Sequence, residues 1–290
     1  MPWQEFCLVL PRELAVTACE FLEAKGAQAV TFSEGGGEEL FEPPPGEAPL
    51  WLETRLTALF DQGVEFEALA ADLADYLGIQ PTWESKVLTD QPWERIWLEH
   101  FRPMRFNRLY VCPSGQSLSD PESVGLILDP GLAFGTGTHP TTALCLKWLS
   151  NQNVSAKTVI DYGCGSGILA IAALLLGAKQ AIACDIDPQA LMATRENARK
   201  NQVTERLTCC YPEAMPAIVG DFVLANIVAD PLIALAPTLT AFTRPGGWLV
   251  LSGILESQIQ SVEQAYAKEF DFQSPMREDG WACLTGVRRV

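Results

Sequence analysis

Between Trp3 and Leu88, stretches in which apolar and polar residues alternate are separated by segments in which apolar residues recur every third or fourth position. Period two predicts half-buried strands, and the longer period predicts amphipathic helices. Strands are expected at Trp3 to Leu10, Ala27 to Ser33, Trp51 to Phe60 and Trp83 to Leu88, with helices at Arg12 to Ala24 and Glu65 to Leu77. That β-α-β-β-α-β succession is the ferredoxin-like α+β order. Phe66, Leu69, Ala70, Leu73 and Leu77 form one stripe, which serves as core, so this small unit reads as a binding module rather than a catalytic one. The stretch holding Gly35, Gly36, Gly37 and Pro43, Pro44, Pro45 is a long surface loop within it. Next, Asp90 to Phe101 reads as a short helix capped by Asp90, with Trp93, Ile96, Trp97 and Phe101 at helical spacing. Neighbouring domains or a partner protein must cover these side chains. The expected division is residues 1–89 as the small domain, 90–103 as an interdomain helix, and 104–290 as the larger domain.

From Val124 onward the larger domain shows its motifs. Asp129 to Thr142 is rich in glycine and hydroxyl side chains, as suits a loop that closes on a ligand, and Thr142 opens or lies within a helix to Leu149. Strands follow at Thr158 to Asp161, Ala181 to Cys184, Arg206 to Tyr211, Phe222 to Ala225, Trp248 to Ser252, Phe270 to Ser274 and Trp281 to Val287. Helices at Ile168 to Leu176, Pro188 to Asn201, Asp230 to Phe242 and Glu256 to Lys268 separate them. The expectation is an α/β domain with a seven-stranded, mostly parallel, Rossmann-like sheet whose last strand is antiparallel.

The segment from Thr158 to Asp187 carries the chemistry. A short apolar β-branched strand runs into Gly163-Cys164-Gly165-Ser166-Gly167, and glycines at alternate positions let a ligand approach the first amides of the next helix. Asp185 ends the following strand roughly 20 residues on, where a carboxylate can accept from ribose hydroxyls. Two details oppose a dinucleotide: the spacing is G-x-G-x-G, and Asp161 stands just before the turn, where its charge would repel a pyrophosphate. S-adenosylmethionine has no phosphate and carries an ammonium and a sulfonium, so a carboxylate there favours it. The bland alternative is tight strand-to-helix packing with no ligand. Asn226 falls at the carboxyl end of a parallel strand, where its amide could face adenine, methionine or an amine acceptor.

The 290 residues, 48% of them hydrophobic, suffice for two cores. No apolar run approaches the ~20 residues that span a bilayer. The start, Met1-Pro2-Trp3-Gln4-Glu5, lacks a basic-then-apolar signal, so a cytoplasmic protein is expected. Nine cysteines without C-x-x-C spacing and only two histidines, His100 and His139, leave little for a metal site, and none is expected. A net charge of −16 opposes direct nucleic-acid binding and suits a basic protein partner, or merely solubility.

Five motifs occur in one order: the loop Asp129 to Thr142, Asp161 to Gly167, Asp185-Ile186-Asp187-Pro188, Ala225-Asn226-Ile227-Val228-Ala229-Asp230-Pro231, and Leu251-Ser252-Gly253-Ile254-Leu255. Together they resemble the bacterial ribosomal protein L11 methyltransferase family. The resemblance implies S-adenosylmethionine contacts at Thr142, Gly163, Asp185 and Asn226, and an amino-terminal domain that holds ribosomal protein L11. It also implies repeated methylation of lysine side chains and of the terminal amine. Val228 stands where the family more often has leucine, and Tyr162 occupies a variable hydrophobic position. Enzymes that methylate nucleobase or glutamine nitrogens continue after the asparagine with Pro-Pro-aromatic, whereas this chain has Ile227-Val228-Ala229, so a planar acceptor is not expected.

No residue stands out as a general base. His139 could serve, but a histidine in a tight loop more often makes a structural hydrogen bond, and Asn226 could orient an amine through its carbonyl oxygen. Methylation of another protein or a small amine, and a non-enzymatic cofactor-binding module, are the competing readings.

Overall fold

The computed structural model describes residues 3–36, 50–88, 103–114, 123–128 and 139–290. The expected interdomain helix from Asp90, most of the Gly/Pro-rich loop and residues 129–138 of the glycine-rich loop lie outside these segments. The chain divides into two compact units, Met1–Trp93 and Glu94–Val290.

In the first unit, β1 (Trp3–Pro11), α1 (Arg12–Ala24), β2 (Ala29–Glu34), β3 (Glu53–Asp61), α2 (Phe66–Leu77) and β4 (Trp83–Leu88) follow in chain order. The strands pair antiparallel in the spatial order β2-β3-β1-β4. Alternate residues, Phe6, Leu8 and Leu10 from β1 and Leu56, Ala58 and Phe60 from β3, are buried against Ala15, Ala18 and Leu22 of α1 and Phe66, Leu69 and Leu73 of α2. α2 ends at Gly78, whose φ of 68° provides a left-handed cap that a side chain would strain.

In the second unit, β5 (Met104–Phe106), β6 (Leu109–Cys112) and β7 (Val124–Ile127) form a small sheet that the sequence did not announce. The main sheet runs β10 (Leu207–Cys210), β9 (Gln180–Cys184), β8 (Thr158–Tyr162), β11 (Gly220–Asn226), β12 (Thr243–Leu255), β15 (Trp281–Arg288), β13 (Phe270–Phe272), and β14 (Met276–Glu278) also pairs with β15. It is mixed: β10 through β12 are parallel, and β15 is antiparallel to β12, β13 and β14. Among the described residues it therefore has eight strands rather than the seven expected. β14 was missed because its three residues, Met276-Arg277-Glu278, carry too little apolar pattern to register as a strand.

Neighbouring residues of the central strands enter opposite cores. Val159, Ala183 and Leu224 pack with α3 (Pro140–Leu149), α4 (Ile168–Leu175) and α5 (Pro188–Lys200). Ile160, Cys184 and Val223 pack with α6 (Ala229–Ala234), α7 (Ala236–Phe242) and α8 (Ile259–Tyr266). Burial on both faces is why the central strands read as continuous apolar runs. The single helix expected from Asp230 to Phe242 is broken at Leu235, because Pro237 has no N–H to continue the ladder.

Candidate functional site

The carboxyl ends of β8, β9 and β11 converge on the glycine turn. Gly163, Gly165 and Gly167 all have positive φ, at 75°, 53° and 76°, so the turn needs residues without a Cβ. A Cβ on Gly163 would overlap the Ile227 side chain, and one on Gly167 would sit 2.6 Å from Thr194 Cγ2. The amides of Gly163 and Cys164 donate to Cys184 O at 2.7 and 3.0 Å, which fastens the turn to β9.

Asp161, on β8 and 1% exposed, accepts from the Ala170 amide in the first turn of α4 at 3.0 Å. Burial pushes its carboxyl up from 3.8 to about 7; the Ala170 amide opposes this and the charge of Asp185 adds to it. A carboxylate this short of positive charge is a place where a cation is welcome and a phosphate is not. Asp185 follows β9 and locks two backbones, accepting from Gly165 N at 2.9 Å and Asp187 N at 3.0 Å. Each carboxylate oxygen keeps a further lone pair for a ligand hydroxyl.

Asn226 ends β11, and its Nδ2 donates to Thr142 Oγ1 in the first turn of α3 at 3.1 Å. Ser252 on β12, in register with Asn226, donates to Thr141 O at 3.0 Å, so α3 is tied to the same rim twice. The chain beyond Asn226 can lie close to β12 only because Gly253 (φ 85°) has no side chain: a Cβ there would stand 2.6 Å from Ile227 O.

This glycine turn between two carboxylates, with an asparagine at the next strand end, belongs to a chain whose residues 2–289 match the profile of the family described as ribosomal protein L11 methyltransferase. The chain belongs to that family. Proteins named ribosomal protein L11 methyltransferase from Methylococcus capsulatus and Nitrosococcus oceani are each 49% identical to it over 292 residues. They cover 99% and 100% of this chain, and the whole of each relative is matched. A crystal structure of the ribosomal protein L11 methylase from Lactobacillus delbrueckii subsp. bulgaricus superposes with a TM-score of 0.60 at 33% identity, over 66% of this chain and 100% of that one. The chain thus has the α/β methyltransferase fold with a mixed sheet, and the protein is an S-adenosylmethionine-dependent methyltransferase.

The structure brings together all four residues to which the L11 methyltransferase resemblance assigns cofactor contacts: Thr142, Gly163, Asp185 and Asn226 stand along one rim of the sheet. His139 caps α3: its Nδ1 accepts from Thr141 N at 3.4 Å and lies 2.8 Å from Thr141 Oγ1. Sequence reasoning passed over Thr194 and Asn197, buried polar residues of α5 that hold the turn's carbonyls. Thr194 Oγ1 donates to Gly165 O and Asn197 Nδ2 to Ser166 O, both at 2.9 Å. The available signal was polar side chains at 194, 197 and 201 on the apolar face of that helix. Cys164 and Cys184, beside the turn, have thiols pushed up by burial, Cys184 to about 12, so neither supplies a thiolate near neutrality. Among the described residues no group of three or more His, Cys, Asp or Glu could hold a metal, and no helix is long and apolar enough to cross a membrane.

Proposed function

We propose that the chain moves methyl groups from S-adenosylmethionine to lysine side-chain amines and the terminal amine of ribosomal protein L11, in the cytoplasm. The observation that carries the cofactor side of this reading is Asp161, a buried carboxylate short of positive charge at the foot of a glycine turn, which fits a cationic ligand. Gly163 would admit the ligand to the turn, Asp185 would accept from ribose hydroxyls, and Thr142 and Asn226 would close the other side. When bound, S-adenosylmethionine supplies a methyl group on a positively charged sulfur.

The residues of the chain do the rest by orientation and desolvation. With its NH₂ committed to Thr142, Asn226 presents Oδ1 to accept an N–H of the incoming amine. A lysine of reference pKa ~10.4 must lose its proton first, at a cost of about 4 kcal/mol near pH 7.4. A site that excludes water lowers that cost by disfavouring the ammonium. His139 serves as a helix cap rather than a general base, because the nitrogen facing the helix is already engaged.

The finer fold follows the same reading. The main sheet is a Rossmann-like methyltransferase sheet, and residues 1–89 form a ferredoxin-like domain that recognises the substrate. Residues 90–103 link it to the methyltransferase domain, 104–290. Charge supports the division of labour: residues 1–93 hold 17 acidic against 4 basic residues, net −13 of the chain's −16. Such a field attracts a basic protein surface. Incubation of the purified chain with methyl-labelled S-adenosylmethionine and total ribosomal protein tests the proposal. Label on L11 is expected; label confined to another protein or to a small amine would reject the acceptor, and no label at all would reject the activity.

A further inference from the structure

We infer that Thr194 is a positioning residue of the cofactor site: by holding the Gly165 carbonyl it aims the Asp185 carboxylate. The inference rests on the proposed reading of Asp185 as the acceptor for ribose hydroxyls and deepens it. Thr194 lies in the middle of α5, fully buried, on a face otherwise lined by Ala190, Leu191 and Ala198. A threonine inside a helix commonly turns its hydroxyl to a carbonyl of its own helix. This one reaches out of the helix instead, and its Oγ1 donates to Gly165 O at 2.9 Å. A hydroxyl has one proton to give, so in the 3.4 Å contact between Thr194 Oγ1 and Cys164 Sγ the thiol is the donor. Burial holds that thiol in its protonated form, as the role requires. The same side chain closes the far end of the turn: a Cβ on Gly167 would stand 2.6 Å from Thr194 Cγ2 and 2.8 Å from Oγ1. One threonine thus meets Cys164, Gly165 and Gly167, and Asn197, one helical turn on, takes Ser166 O.

Gly165 links that grip to Asp185. Its N–H donates to Asp185 Oδ2 at 2.9 Å, and its C=O is the group that Thr194 holds. A glycine at φ 53° has no Cβ to limit the rotation of its backbone, so these two hydrogen bonds set its orientation. On the other side, Asp185 Oδ1 accepts from Asp187 N, and Asp187 caps α5 by accepting from Gln189 N at 2.8 Å. The result is a closed ring: Asp185 to Gly165, Gly165 to Thr194, and Thr194 back along α5 to Asp187 and Asp185. A carboxylate held in such a ring meets a ligand with its remaining lone pairs already directed, which spares the ligand the cost of ordering it. Without the Thr194 hydroxyl the Gly165 peptide loses one of its two holds, and Asp185 loses a fixed partner.

The test measures, by calorimetry, the binding of S-adenosylhomocysteine and of its analogue lacking both ribose hydroxyls to wild type, Thr194→Val, Thr194→Ser and Val262→Ala. Val262→Ala opens the core on the opposite face of the sheet and controls for lost stability. Wild type should prefer the hydroxylated ligand by about 10-fold or more, the range of hydrogen bonds to a charged group. In Thr194→Val, which keeps the shape of the side chain, that preference should shrink by about 2-fold or more, the range of coupling within one hydrogen-bond network. Thr194→Ser and Val262→Ala should keep it. With no ligand present, the Gly165 N–H should exchange with heavy water about 5-fold or more faster in Thr194→Val than in Val262→Ala. Should valine prevent folding, Thr194→Ala is read in the same two assays. A ribose preference equal to that of wild type in the variant without the hydroxyl, or a Gly165 exchange rate equal to that of Val262→Ala, would overturn the inference. A wild type indifferent to the ribose hydroxyls would sink the reading of Asp185, and the exchange rates would still decide whether Thr194 holds the Gly165 peptide.

Discussion

Asp161→Asn is the substitution in which stability and function should move in opposite directions. Asparagine keeps the shape of the side chain and an oxygen for the Ala170 amide, and it removes the titration. In the folded chain burial raises the Asp161 carboxyl from 3.8 to about 7, so the folded state binds the proton more tightly than the unfolded state does. The stability this group lends is complete below pH 3.8 and is lost as pH rises to about 7. At 1.36 kcal/mol per unit, the loss is about 2 kcal/mol at pH 5 and about 4 kcal/mol at pH 8. Urea unfolding of the cofactor-free protein at those two pH values should therefore show Asp161→Asn gaining about 2 to 3 kcal/mol on wild type between them. S-adenosylmethionine should bind the variant more weakly, since the charge that meets its cation is gone. A stability difference that is the same at both pH values, or that shrinks as pH rises, would refute the assignment of Asp161 as a buried carboxylate short of positive charge.

Three further outcomes follow from the geometry. Gly253→Ala places a Cβ 2.6 Å from Ile227 O at φ 85°, so it should cost about 1–3 kcal/mol in thermal or urea unfolding and weaken cofactor binding by displacing Asn226. Asp185→Ala removes an acceptor shared by Gly165 N and Asp187 N, and should weaken S-adenosylmethionine binding in calorimetry by about 10-fold or more and lower the melting temperature; unchanged affinity would remove Asp185 from the site. Because residues 1–93 carry net −13, KM for the protein substrate should rise with added salt while cofactor affinity changes little. A salt-independent KM would mean that charge plays no part in recognition.

The elements that hydrophobic period alone specifies were legible from the sequence. Buried on both faces, Thr158-Val159-Ile160 reads as a parallel strand, and α2 shows its core stripe at Phe66, Leu69 and Leu73. The Gly163 to Gly167 turn was legible because left-handed backbone at alternate positions leaves glycine as its mark. Less visible were very short elements and features set by tertiary contact. The strands Met104–Phe106 and Met276–Glu278 are only three residues long, too short to show a period, and each pairs across a two-residue turn with the strand that follows it. Asn201 pins β7 through two 2.7 Å bonds to Ile127, a pairing 74 residues apart that no local pattern records. The break at Leu235 was signalled by Pro237 but overridden by the apolar period on either side. The need for glycine at 253 becomes plain only once Ile227 is seen lying against it.

The central claim is that the glycine turn, with Asp161 beneath it and Asp185 beside it, receives a cationic nucleoside rather than a pyrophosphate. Calorimetric titration of the purified chain with S-adenosylmethionine and, separately, with a nicotinamide dinucleotide from pH 6 to 8.5 tests it most directly. The account predicts one-to-one binding of S-adenosylmethionine that tightens as pH rises through about 7, where Asp161 gives up its proton, and no binding of the dinucleotide. Saturable binding of the dinucleotide, or no association with S-adenosylmethionine at any pH in that range, would contradict it.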